Sequence, residues 1–399
     1  MLKSAVKFTI CVLVFVLIVD PGDLIFHLKV PLFIAILLIW AALKCKNLVR
    51  IDRDILAISL GFILIPLLGI ISAVIQDNLS DQVAAVGFFK SFIIITLLVV
   101  IIDMKIALDK YLIRFCILIP LIIIPIYICI SIDPNSILTV YHYLNAKDVA
   151  KFSSRDFYGY KVIMLYYRTS PLLVFPLAYY CNAFFNGNKR VFNFVMAGLF
   201  LFTLILSGTR ANMLSGVVVV TYLLFNHLMM KRNKTPLVIA FTVVGIAILV
   251  FFQTLSFEKA DQSSAIKSGH FDSYILLFID HPQYLIWGEG LGSTFYTSGN
   301  RTFVSQTELT YLDVVRWFGI PLALAMFFLL LYPVIYLSLN KKVGDSKYLI
   351  AAYFGYLFIA GTNPLLMSST GMLAIITMYS LLKDHPRRGL TTYPIMNLV

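Results

Sequence analysis

Charged side chains are scarce in this chain, at 13% of 399 residues against 60% hydrophobic, and the mean hydropathy is +0.89. That scarcity excludes a water-soluble globule, because no soluble fold of this length can bury so much apolar surface, and the bilayer must serve as solvent. Cysteine is also sparse. Cys11, Cys45, Cys116, Cys129 and Cys181 lie in or beside apolar runs and form no C-x-x-C pair, so they read as small packing residues rather than metal ligands or disulfide partners. His27, His142, His227, His270, His281 and His385 lack metal-ligand spacing. No 20–50-residue repeat is present.

What is there is long apolar runs. Hydrocarbon offers no water to backbone polar groups, so only helices or closed barrels span it, and runs that are continuous rather than alternating select helices. The fold expected is all-α, a polytopic integral membrane protein of about 12 transmembrane helices in a single membrane domain, 1–399. The spans fall at roughly 5–19, 25–43, 55–75, 86–102, 111–132, 169–186, 191–207, 211–230, 236–255, 320–339, 348–362 and 364–382. Lys3 and Lys7 before the first run resemble a signal peptide, but Val19-Asp20-Pro21-Gly22 holds no small-x-small cleavage site, so the run is kept as a span.

The net charge of +12 is distributed as a topology signal. Basic residues mark every second connection: Lys44, Lys46, Arg50 and Arg53; Lys105, Lys110 and Arg114; Lys189 and Arg190; Lys231, Arg232 and Lys234; Lys341, Lys342 and Lys347; Lys383, Arg387 and Arg388. The positive-inside rule puts these connections and both termini in the cytoplasm, and no nucleic-acid partner is needed to explain the charge. Asp52-Arg53-Asp54, a D-x-D, then lies on the cytoplasmic side in a basic junction without a catalytic domain around it. The opposite, periplasmic side carries two long connections, 133–168 and 256–319, the second with a helix near 304–317 broken by Gly319-Ile320-Pro321. Loops this long on a rigid bundle are commonly functional.

Three patterns in these regions bear on chemistry. Ser207-Gly208-Thr209-Arg210 opens a span with almost no loop before it, so Arg210 sits at the outer boundary, against the positive-inside rule. It either snorkels to the interface or joins the helix N-terminus in an anion site. The 133–168 loop sets Lys147, Lys151, Arg155, Lys161 and Arg168 among Phe152, Phe157, Tyr158, Tyr160, Tyr166 and Tyr167, a composition that suits lipid headgroups, a phosphate or a sugar face. In the longer loop, Gly288, Gly290 and Gly292 lack the preceding strand of a dinucleotide motif and read as a tight turn beside a substrate. Arg301 follows, then Glu308, Tyr311, Leu312 and Val315, which share one face if 304–317 is helical. Glu308 is then a surface carboxylate that either accepts a proton or complements a helix dipole.

Ser207-Gly208-Thr209-Arg210, Gly288-x-Gly290-x-Gly292 and Glu308-x-x-Tyr311-Leu312 followed by Gly319 together resemble the bacterial O-antigen polymerase and O-antigen ligase superfamily of multi-spanning glycosyltransferases, over about 190–320. The resemblance implies a GT-C-like architecture and transfer of an oligosaccharide from undecaprenyl diphosphate on the periplasmic face, with no metal and no cofactor. Ligases usually carry a histidine after the glycine turn, where this chain has Glu308 and no histidine between His281 and His385, so the polymerase is favoured. The R-x10-G motif of some polymerases is not matched by Arg155, Arg168 or Arg301. By this resemblance Arg210 stabilises the diphosphate, Arg301, Arg168 or Arg155 clamps it, Arg316 lies deeper toward the lipid, Tyr311 and Gly290 line the substrate, and Glu308 is the base or acceptor orienter, in a reaction that inverts the anomeric centre. Membrane lipids and a chain-length regulator are the further partners implied. The alternatives are the ligase acting on lipid A-core and a lipid-linked oligosaccharide flippase, which would place charge within spans.

Overall fold

The computed structural model describes residues 2–45, 52–133, 137–157, 160–187, 189–229, 262–339 and 347–382. The chain is mostly helical. Six helices are long and apolar enough to cross a membrane, as a multi-pass protein requires: α1 (Leu2–Val19), α3 (Arg53–Ile75), α4 (Gln82–Asp103), α5 (Leu108–Ile132), α8 (Arg210–Met229) and α10 (Thr310–Leu339). Shorter apolar helices occupy other expected spans: α2 (Lys29–Lys44), α6 (Ser170–Phe185), α7 (Arg190–Leu206), α11 (Lys347–Gly361) and α12 (Ser369–Tyr379). The expected span 236–255 lies outside the described residues. So do Lys46, Arg50, Lys231, Arg232, Lys234, Lys341, Lys342, Lys383, His385, Arg387 and Arg388.

The all-α expectation needs correction, because both long connections contain antiparallel hairpins. β1 (Ala150–Phe157) pairs with β2 (Tyr160–Tyr167), and β3 (Phe295–Thr297) with β4 (Thr302–Val304). Tyr160-Lys161-Val162-Ile163-Met164-Leu165-Tyr166-Tyr167 is rich in β-branched and aromatic residues, which suit a strand. β4 occupies part of the helix expected near 304–317, which instead begins at Thr310.

Helices α6, α11 and α12 form the centre. Tyr348 to Tyr353 and Thr370 to Tyr379 are buried without interruption. Small residues permit the close approach: Gly355 packs on Val219, and its carbonyl accepts from Ser215 Oγ at 2.9 Å. Around this centre, peripheral helices present apolar stripes outward, such as Leu64, Leu68, Ile71 and Ile75 on α3.

Helix α10 is pinned to the centre at its own defect. Pro333 has no N–H for the carbonyl of Leu329, and the Tyr379 hydroxyl donates to that carbonyl at 2.5 Å. Tyr353 donates to Leu330 O one residue on, at 3.0 Å. Nearer its start, Gly319 (φ 70°) breaks α10 into an outer piece, 310–318, and a longer inner one. The broken end is capped by a foreign backbone: Glu289 N–H donates to Arg316 O at 2.6 Å and Gly290 N–H to Trp317 O at 3.2 Å. Leu291 N–H continues to Gly69 O on α3 at 2.9 Å.

This contact explains the glycines. Gly288, Gly290, Gly292 and Gly319 all have positive φ. A Cβ on Gly288 would strike Trp317 O, one on Gly290 the backbone of Ala73, and one on Gly319 the carbonyl of Ile286. The segment is a backbone-to-backbone joint between α3 and α10.

Candidate functional site

The two long connections meet around Glu308. This residue precedes α10, so the face expected to join it with Tyr311, Leu312 and Val315 does not form. The cause is Asp313, whose carboxylate reaches back past the first turn to accept from Thr307 N–H at 2.8 Å and Thr307 Oγ at 3.1 Å. That link fixes the chain at Thr307 in a non-helical course and leaves Glu308 at the surface. Its Oε2 lies 3.3 Å from Lys267 Nζ on α9 (Gln262–Asp280), with both side chains about two-fifths exposed, 46% and 36%. An ion pair that open contributes at most about 1 kcal/mol, so it does not hold the fold. Two further groups feel the Glu308 charge. His270, buried on α9 beneath Gly299, has its pKa lowered by burial, with Glu308 opposing the shift and Lys267 reinforcing it. Tyr166 on β2 has its phenol pushed up by burial first and then by Glu308. A carboxylate, an amine, an imidazole and a phenol from three chain segments thus share one electrostatic neighbourhood.

Beneath it lies a closed ionic clasp. Arg316 has no exposed surface. Its Nη1 donates to Glu289 Oε2 at 2.6 Å and Ser293 Oγ at 3.0 Å, and its Nη2 donates to Ser305 O at 2.7 Å and Asp313 Oδ1 at 3.4 Å. Phe295 lies under the guanidinium, 4.4 Å from Cζ to the ring centre. The Tyr274 hydroxyl donates to Asp313 Oδ1 at 2.6 Å, and its phenol is pushed up by burial and then by the Asp313 charge. Arg316 was expected to contact substrate at depth toward the lipid. Surrounded in this way, it holds α9, the β3–β4 hairpin and α10 together, and touches no open space.

Arg210 begins α8 where the end of β2 crosses the start of α6. Gly208 (φ 68°) packs under Met164 of β2, where a Cβ would collide with that side chain. Asn212, fully buried, donates to Ser170 Oγ at 3.1 Å and Ser207 Oγ at 2.8 Å. The four-residue motif is therefore built into the base of the β1–β2 hairpin. Arg168, the next residue after β2, pairs with Asp148 and donates its N–H to Val149 O at 2.9 Å. Arg155 lies on β1 opposite Val162, its side chain outside the described residues, as is that of Lys161. Arg301 is exposed at the tip of the β3–β4 hairpin with φ 54°. Tyr311 donates its hydroxyl to Leu357 O at 2.6 Å and heads an apolar cavity of about 850 Å³ lined by Val219, Tyr222, Phe327, Leu331 and Phe358.

The structure thus brings Glu308 together with the β2 strand, which Arg168 follows, and builds the Arg210 motif into the base of the same hairpin. It puts Gly290 in a backbone joint and Arg316 in a clasp. Sequence reading missed Lys267, His270, Tyr274, Glu289 and Asp313. A signal existed for one pair, since Asp313 and Arg316 stand three apart on a helix. No protein-family model and no curated protein matches the chain.

Proposed function

We propose that the chain is a glycosyltransferase of the inner membrane that polymerises oligosaccharide units carried on undecaprenyl diphosphate into O-antigen or a related surface polysaccharide, acting on the periplasmic side. The observation that carries this reading is the convergence of the two long connections on a solvent-facing carboxylate, Glu308, beside Lys267 of one connection and Tyr166 of the other. The hydroxyl of the acceptor sugar attacks the anomeric carbon of the donor. The bond from that carbon to the phosphate oxygen breaks, and the diphosphate leaves with the electron pair. Glu308 takes the hydroxyl proton, and Arg210 with Arg168 or Arg301 meets the charge growing on the leaving group. A single displacement inverts the anomeric centre. The apolar cavity headed by Tyr311 suits a polyprenyl chain, and on this reading the diphosphate lies near the start of α10. No step calls for a metal, so polymer formation is expected to survive excess chelator.

The test is polymer length on gels from cells whose membranes hold equal amounts of each variant. Arg210→Ala is expected to abolish polymer, and Arg210→Lys to remain severely impaired, because an ammonium does not replace a bidentate fork. Glu308→Gln is expected to bind donor lipid and lose about 10²–10⁴-fold in rate. Normal ladders from both Arg210→Ala and Glu308→Gln would overturn the reading.

A further inference from the structure

Helix α9 has two unlike sides. One side is committed to the protein: His270 lies beneath Gly299, Ser273 Oγ accepts from Ser298 N–H at 2.9 Å, and Tyr274 enters the Arg316 clasp. The other side is largely apolar and exposed among the described residues. Phe271, Ile275, Leu276 and Ile279 are 51%, 44%, 61% and 68% exposed, spaced for one helical stripe. The exposure continues past the helix end into Ile286 and Trp287, the latter 71% exposed. Asp280 lies at one edge of the stripe, and Asp272 within it, one and two turns before Leu276 and Ile279.

What covers this stripe is indicated by where it leads. The Trp287 carbonyl accepts from Ser72 Oγ at 3.2 Å, in the last turns of α3. There Ile71, Val74 and Ile75 are themselves exposed, Ile75 at 78%, on the flank of a helix long and apolar enough to span. The stripe on α9 is therefore continuous with a surface that faces hydrocarbon. Tryptophan at such a margin is the side chain that favours the boundary between headgroups and acyl chains. A helix with one face fixed to protein and the other apolar, joined to a span at its edge, fits lying in that boundary.

We propose that the outward face of α9, together with Ile286 and Trp287, is a membrane-docking surface that rests in the headgroup–acyl boundary of the leaflet at the long-loop end of the bundle. Asp272, within the stripe, and Asp280, at its edge, then meet headgroup ammonium groups, which sets the helix at headgroup depth rather than deeper. The docking fixes the depth of His270 on the opposite side of the same helix and of Lys267 at the stripe's margin, one turn before Phe271, whatever reaction Glu308 serves.

The test uses full-length protein in vesicles of phosphatidylethanolamine and phosphatidylglycerol, with the exposed Cys45 and Cys129 replaced by serine. Nitroxides are attached at Leu276→Cys, Ile279→Cys, Ile75→Cys and Thr302→Cys, and their relaxation by oxygen and by a water-soluble nickel chelate is measured. Labels at 276 and 279 are expected to match 75 in responding to oxygen and losing the nickel response, while 302 keeps it. A nickel response at 276 and 279 equal to that at 302 would overturn the proposal in favour of a water-exposed face. Loss of both responses would overturn it in favour of a protein cover, such as a second copy. Should the cysteine variants fail to fold, tryptophan quenching by bromolipid serves instead. Wild type is expected to show a quenched component that Trp287→Phe loses, and an unchanged quenching profile would count against the proposal.

Discussion

A guanidinium with no exposed surface must have its charge met inside the protein, and Arg316 meets it at both Glu289 and Asp313. Removing it leaves two buried carboxylates without a counter-charge. Arg316→Ala is expected to cost about 3–5 kcal/mol, read as a large fall in detergent melting temperature or in membrane yield. A variant that melts normally would show the clasp to be incidental. His270 carries a different signature. Its pKa is lowered in the fold, so the folded state holds fewer protons than the unfolded one through the interval below the ordinary value of 6.5. The stability it contributes is complete above 6.5 and is lost as pH falls through the folded pKa. His270→Gln is expected to flatten this part of the acid melting curve, with Lys267 and Glu308 as the charged groups that modulate it. Of these residues, Glu308 was legible in the sequence as a surface carboxylate after a glycine turn. Its position off the helix was not, because that depends on Asp313 bonding backward to Thr307, a choice that period counting does not register.

At the level of elements, the break in α10 could be read from Gly319-Ile320-Pro321, whereas the hairpins could not be separated from polar loop. Their strands are short or mix charge with aromatic residues, and they are seated by contacts distant in sequence, Met164 on Gly208 and Phe295 under Arg316. Two substitutions test how the elements are joined. Gly288→Ala puts a methyl group against the Trp317 carbonyl at a positive φ, and it is expected to destabilise the joint enough to lower membrane abundance. Tyr379→Phe leaves the Leu329 carbonyl beside Pro333 unsatisfied in a dry interior. A loss of about 0.6–2 kcal/mol is expected in unfolding from detergent micelles, and no loss would mean that another donor takes the carbonyl.

For the whole molecule, hydropathy located the apolar helices because bilayer and protein interior are equally unfavourable to charge. For the same reason it could not rank them: α11 and α12 form the buried centre while α3 and α5 face outward, yet all read as apolar runs. Orientation remains a matter of charge distribution, and reporter fusions test it. Fusions at Asn145 and Gly269 are expected to report the periplasm, and those at Lys189 and Lys341 the cytoplasm. Cytoplasmic signals at the first two would remove the setting for glycan transfer.

The foreign cap on the outer piece of α10 also bears on how the chain matures. Glu289, Ser293 and Ser305, which neutralise and hydrogen-bond Arg316, precede it in sequence and lie in the long connection. On the topology proposed above, until that connection has been translocated residues 310–318 carry Arg316 and Asp313 with neither Glu289 nor the capping N–H groups of Glu289 and Gly290 in place. On that topology insertion has a built-in order, in which export of the loop comes before the first turns of α10 can close. A chain held up between these steps is expected to be open to protease near Thr310 while its earlier spans are already protected.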